Sequence, residues 1–175
     1  ILVAGNQFFA VGDRGATAYS FGGLVWQQGS ANTSQGLYGS AWNGTTLIAV
    51  GAGGTILSSA GGQPTQPTLS FALASSAQSE SVAAATVTIN LTPASTLPVT
   101  VALTVSGTAT LGTSATSDYK ATITPITFAA GETAKSIPGV LIANDKKDET
   151  DETAIFSLGK PTGDATLGAN KTHTL

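Results

Sequence analysis

Residues 79–111 read SESVAAATVTINLTPASTLPVTVALTVSGTATL, and their periodicity decides the fold class. Val87, Ile89 and Leu91 alternate with polar residues, and Val99, Val101, Leu103 and Val105 do the same further on. A period of two sends one apolar face to a core and one polar face to water, the mark of half-buried strands. Working outward, strands are predicted over 68–73, 85–91, 99–105, 121–128, 135–142, 154–158 and 172–175. No segment carries helical periodicity, and no helix longer than two turns is expected. Pro138-Gly139 interrupts the 135–142 segment and predicts a bulge, because proline cannot donate to a ladder and glycine tolerates unusual angles. The expected core is Val87, Ile89, Val101, Leu103, Phe128 and Ile155.

Composition bounds the function. Of the 175 residues, 41% are hydrophobic, enough for a core, and only 10% are charged. Soluble domains average about 25% charged residues, so Thr, Ser, Ala and Gly carry the polarity here. A net charge of −3 provides no basic field for nucleic acid. Without cysteine there are no disulfides, thiolate metal sites or cysteine nucleophiles. The absence of methionine is read as a removed leader or as a piece of a longer chain. No apolar run reaches the roughly 18 residues that a membrane span needs.

Charge also divides the chain. Before Glu80 only Asp13 and Arg14 are charged. The break falls at the Gly/Pro/Gln stretch, giving a first region over 1–62, a linker over 63–67 and a sandwich over 68–175. The first region repeats itself. Phe8-Phe9-Ala10-Val11-Gly12-Asp13-Arg14-Gly15 and Leu47-Ile48-Ala49-Val50-Gly51-Ala52-Gly53-Gly54 align at an offset of 39. A period near 40 with short strands and glycine turns resembles bacterial β-propeller repeats. Only about one and a half such repeats are present, and a closed propeller needs at least four. Two similar hairpins are expected, turning at Asp13-Arg14-Gly15 and Ala52-Gly53-Gly54.

The second region carries several motifs in order: Ser79-Glu80, Ser117-Asp118-Tyr119, Phe128-Ala129-Ala130-Gly131-Glu132-Thr133, Asn144-Asp145, Asp151-Glu152-Thr153 and Ala165-Thr166-Leu167-Gly168. Together they resemble the Calx-β domain over about residues 66–175. The resemblance implies an all-β fold: an antiparallel, immunoglobulin-like sandwich, here preceded by propeller-like hairpins. It also implies calcium, held by acids from loops at one end of the sandwich. Residue by residue, Glu80, Asp118, Glu132 and Asp145 fall on the family's acidic positions. Calcium takes six to eight oxygen ligands. Asn144 and Lys146 replace charge that the family pattern carries there, and the competing reading is that these acids cap turns. The mixed-sign run 145–152 is a second cation or basic-partner candidate, but its mixed signs favour a solvated, self-neutralising hairpin loop.

Catalysis has little footing. His173 is the only histidine, and Gly51-Ala52-Gly53-Gly54 lacks the Lys-Ser/Thr and helix of a phosphate loop. The aromatics Phe8, Phe9, Tyr19, Phe21, Trp26, Tyr38 and Trp42 are either core or a surface for glycans or a neighbouring subunit. Four Asn-X-Ser/Thr sequons, at Asn32, Asn43, Asn90 and Asn170, are what a Thr-rich chain produces by chance. The expected function is a non-catalytic, extracellular or cell-surface protein, prokaryotic in style. Its expected role is adhesion or self-assembly into a surface polymer or filament, with other copies of itself or another surface protein as partner. The alternative is a calcium-binding Calx-β module within a larger propeller-containing surface protein. No cofactor is expected other than calcium.

Overall fold

A computed structural model describes residues 1–59, 65–114, 116–144 and 150–175, and the chain falls into two units, Ile1–Gln66 and Pro67–Leu175. The first unit begins with β1 (Leu2–Ala4), β2 (Gln7–Val11), β3 (Ala16–Phe21) and β4 (Gln27–Ser30), a four-stranded antiparallel meander. A three-stranded antiparallel sheet follows, made of β5 (Leu37–Trp42), β6 (Leu47–Gly51) and β7 (Ile56–Ser58). Phe9, Phe21, Leu37 and Ala49 are buried. Trp26 and Tyr38 are exposed.

The repeat is visible in backbone geometry. Gly12 and Gly51, 39 residues apart, have φ/ψ of −159/−164 and −161/−162. Each donates its N–H four residues ahead, Gly12 to Ala16 O and Gly51 to Thr55 O, both at 2.9 Å. Two residues inside each turn are left-handed, Arg14 (φ 54) and Gly15 (φ 70) in one, Gly53 (φ 62) and Gly54 (φ 73) in the other. Arginine thus occupies a conformation that the second copy gives to glycine.

In the second unit, β8 (Thr68–Phe71), β9 (Thr88–Thr92), β10 (Val99–Val101) and β11 (Leu103–Gly107) are followed by β12 (Tyr119–Lys120) and β13 (Ile126–Phe128). Then come β14 (Ala134–Ser136), β15 (Leu141–Ile142), β16 (Ala154–Leu158), β17 (Thr166–Leu167) and β18 (Thr172–Thr174). One sheet runs β14-β9-β8-β17 and another β11-β16-β18, with the pairs β10–β13 and β12–β15 beside them. The unit is all-β and its ladders are antiparallel, except that β17 runs parallel to β8. A second parallel contact joins Ser75 to Thr174.

The 99–105 segment is two strands. Its first part pairs with β13 and its second with β16, the change falling at Ala102, whose carbonyl accepts the Gly159 N–H at 2.9 Å. The alternation survives the break, since Val99, Val101 and Leu103 are all buried. The Pro138-Gly139 interruption splits the expected 135–142 strand: β14 ends at Ser136, paired with β9, and β15 begins at Leu141, paired with β12. Ile137 N–H reaches Val87 O, but the next bond runs from Ala85 N–H to Val140 O, so three steps on one strand face two on the other. Gly139 takes φ 65.

Val87, Ile89, Val101, Leu103 and Phe128 lie in the core as expected; Ile155 does not. Ala154, Phe156 and Leu158 point inward, while Ile155 is half-buried opposite Thr174. Ala154, Phe156 and Leu158 make one wholly apolar face, while Ile155 shares the other with the polar Ser157, so the larger Phe156 takes the core. His173, on β18, is also buried. Its Nδ1–H donates to Leu73 O and its Nε2 accepts from the Ser76 hydroxyl, both at 2.9 Å, clipping the 73–76 segment to β18.

Phe156→Ala should cost about 3–5 kcal/mol in urea unfolding. Ile155→Ala should cost clearly less, and equal losses would contradict the assigned phase.

Candidate functional site

The antiparallel ladders sort the acids between the two ends of the sandwich. β9 and β14 pair as Thr88↔Ser136 and Asn90↔Ala134. At one end of this ladder Ala85 meets Val140, and at the other Leu91 N–H meets Thr133 O. Those ends are roughly 20 Å apart at strand rise. Asp118 belongs to the Ala85–Val140 end, since its carbonyl accepts the Ala143 N–H at 2.9 Å.

Asp118 is held by its own loop. Its N–H donates to Thr110 O, and its carboxylate accepts the Thr110 N–H at 2.5 Å. Gly112 N–H bonds Tyr119 O, and Ser114 and Ser117 hydroxyls meet at 2.8 Å, folding residues 110–119 on themselves. The facing loop brings Glu152. Thr153 N–H donates to Thr108 Oγ1 at 2.9 Å, and Ala109 N–H donates to Thr153 O at 3.0 Å. Gly107 makes this approach feasible. It has φ 124, and a Cβ there would lie 2.0 Å from the Thr153 carbonyl oxygen. Glu152 precedes Thr153 on this loop, and its side chain interacts with the Asp118 carboxyl.

The Thr110 amide holds the Asp118 carboxyl below its ordinary value, with Glu152 adding to the effect and partial burial opposing it. Burial, and then the Asp118 charge, push the Tyr119 phenol up. An open cleft of about 330 Å³ is lined by Gly112, Thr113, Ser114, Ser117, Tyr119, Lys120 and residues 141–143, and neither Asp118 nor Glu152 lines it. Two carboxylates facing each other resist joint ionisation unless a proton or a cation sits between them.

The other expected ligands are placed differently. Glu80 is exposed, in the loop before β9. Glu132 stands at the far end: its carboxylate accepts the Ala129 N–H at 2.6 Å and pairs with Lys135 at 3.0 Å. The Ala129 amide, and then Lys135, lower its carboxyl. It closes a turn and shares no end with Asp118. Asp145 lies outside the described residues, as does most of the 145–152 run. Glu152, which sequence reasoning left inside that run, is the residue brought to Asp118. Among the described residues no three His, Asp or Glu side chains form a metal-holding group.

The family comparison meets this geometry. The Calx-beta domain family matches residues 63–174. The chain belongs to the Calx-β domain family. Residues 1–62 precede the matched span. Among solved structures, the apo form of the Calx CBD1 domain is similar at 18% identity and a TM-score of 0.54, covering 63% of this chain and 96% of that one. CBD12 from CALX1.2 is similar at 17% identity and a TM-score of 0.51, covering 61% of this chain and 42% of that one. No curated protein sequence matches. Both structures share the sandwich fold. Among the described residues no helix is long and apolar enough to cross a membrane.

The lowered Asp118 carboxyl fixes the sign of a pH effect. Its folded value lies below its unfolded one, so its contribution is complete above the ordinary carboxylate range and is lost as pH falls through the folded value. Asp118→Asn should therefore flatten the acid limb of stability as pH falls below the ordinary carboxylate range. Urea midpoints measured against pH check this; parallel acid limbs would contradict it.

Proposed function

We propose that this chain is a non-catalytic, extracellular calcium-binding module whose cation site is the Asp118 and Glu152 end of the sandwich. The observation that carries the reading is the approach of two carboxylates from separate loops, held by backbone hydrogen bonds that require glycine at 107. Carboxylate oxygens are the donors calcium prefers, and water and backbone carbonyls complete its shell. When bound, calcium would supply the positive charge that lets both acids stay ionised. Membership of the Calx-β family supports the same assignment. Glu80 and Asp145 are the further acids that family matching adds to this end, and Glu132 is left to its turn.

Calcium that binds only the folded state raises stability by about 2.7 kcal/mol at one hundred times its dissociation constant. Titration calorimetry and thermal melting should show heat and a raised Tm, both lost in Asp118→Asn and Glu152→Gln and retained in Glu132→Gln. Neither heat nor a rise at millimolar calcium would leave these acids purely structural.

A second reading concerns the first unit, as propeller-like repeats that associate with another copy or another surface protein. Its support is a concentration of exposed apolar side chains: Val3, Leu24, Tyr38, Val50 and Ile56 are all exposed, and Asp13 and Arg14 are the unit's only charges. Such surfaces recover about 25 cal/mol per Å² when covered. The intact chain should associate in sedimentation, while residues 67–175 alone remain monomeric. A monomeric full chain at high concentration, with its first unit still resistant to protease, would rule this out.

A further inference from the structure

The repeat is incomplete in one specific strand. In the first copy, β3 bonds β2 on one side and β4 on the other. Because Gly12 N–H bonds Ala16 O and Ala31 N–H bonds Gly15 O, Thr17 and Tyr19 turn their backbone groups toward Gly29 and Gln27 of β4. In the second copy, Gly51 N–H bonds Thr55 O and Ser59 N–H bonds Leu47 O. Thr55, Leu57 and Ser59 therefore face β6, and the backbone groups of Ile56 and Ser58 face away from it. Ile56 and Ser58 are the counterparts of Thr17 and Tyr19 at the offset of 39. Among the described residues β7 has β6 as its one neighbour.

The same offset carries β4 onto residues 66–69, which run into β8. β8 is bonded on both sides, to β9 and to β17. The chain's own candidate for the fourth place is thus committed to the sandwich. We infer that the outer edge of β7 accepts an antiparallel partner strand of β4's chemistry, uncharged and with a glycine opposite Ile56. This inference deepens the association reading and rests on it. An added strand satisfies two N–H and two C=O groups through main-chain bonds. The glycine follows from the first copy, where a Cβ on Gly29 would lie 2.7 Å from the Thr17 hydroxyl. Ile56 is bulkier than Thr17. Gln27 and Gln28 of β4 add no charge, matching an edge without charges of its own.

The test uses the full chain and an acetylated peptide of residues 24–31, LVWQQGSA, followed by amide hydrogen exchange. Saturating peptide should slow exchange at Ile56 and Ser58 at least tenfold and leave Leu57 unchanged. A peptide carrying Gly29→Val should bind at least tenfold more weakly. Ser58→Pro should abolish binding, because it removes an outward N–H and no β6 bond; retained protection at Ala49 and Leu57 shows the sheet intact. Should that variant unfold, Ile56→Lys, on the exposed face, serves in its place. Unchanged exchange at Ile56 and Ser58 with millimolar peptide overturns the inference, as does binding indifferent to Ser58→Pro. Sedimentation of the peptide-free chain reads association separately. A chain that associates yet ignores the peptide refutes the strand site alone, and a monomeric chain that takes the peptide refutes self-association alone.

Discussion

The backbone of Gly107 lies against the Thr153 carbonyl with no room for a side chain between them, and the acidic end of the sandwich is organised around that approach. Two loops that would otherwise splay under like charge are held by Thr108, Ala109 and Thr153 hydrogen bonds. Each such bond contributes only about 1 kcal/mol net. Their value lies in position: they hold the loop that carries Glu152 against the one that carries Asp118. β11 and β16 deliver the two loops to the same place because Gly107 pairs with Ala154 at the ladder's last rung.

The two units meet the problem of unpaired polar groups differently. The sandwich uses short strands that change partner, so a segment such as 99–107 serves two ladders in turn. The first unit builds meanders whose edge strands have a single neighbour among the described residues. Low charge makes those edges consequential, since charged side chains are the common protection against added strands.

Much of this was legible in the sequence. Strand alternation placed Val87, Ile89, Val101, Leu103 and Phe128 correctly, and Pro138-Gly139 announced an extra residue that the hydrogen bonds then count. Turn glycines marked both hairpins. Where reading failed, the signal was absent or shared. Ile155 and Phe156 are adjacent large apolar residues, and Ser157 alone marks the outer face that Ile155 shares. Glu132 matches a motif, but motif order does not say at which end of a ladder a residue falls; the pairing of Asn90 with Ala134 does. Glu152 was hidden in a run of mixed charge, and its link to Asp118 appears only once Gly107 brings the loops together. β17 is two residues long and pairs parallel, too short for any periodicity.

The parallel contacts have a mechanical meaning. β8 opens the sandwich and β17 and β18 close it, and first and last segments run side by side in the same direction at Thr68↔Thr166, Leu69↔Leu167 and Ser75↔Thr174. Tension applied through residues 67 and 175 pulls these neighbours in opposite senses along their length. The bonds are then loaded together in shear and do not open one at a time from an end. Built this way, the sandwich resists stretching along its chain axis better than its short strands alone would suggest.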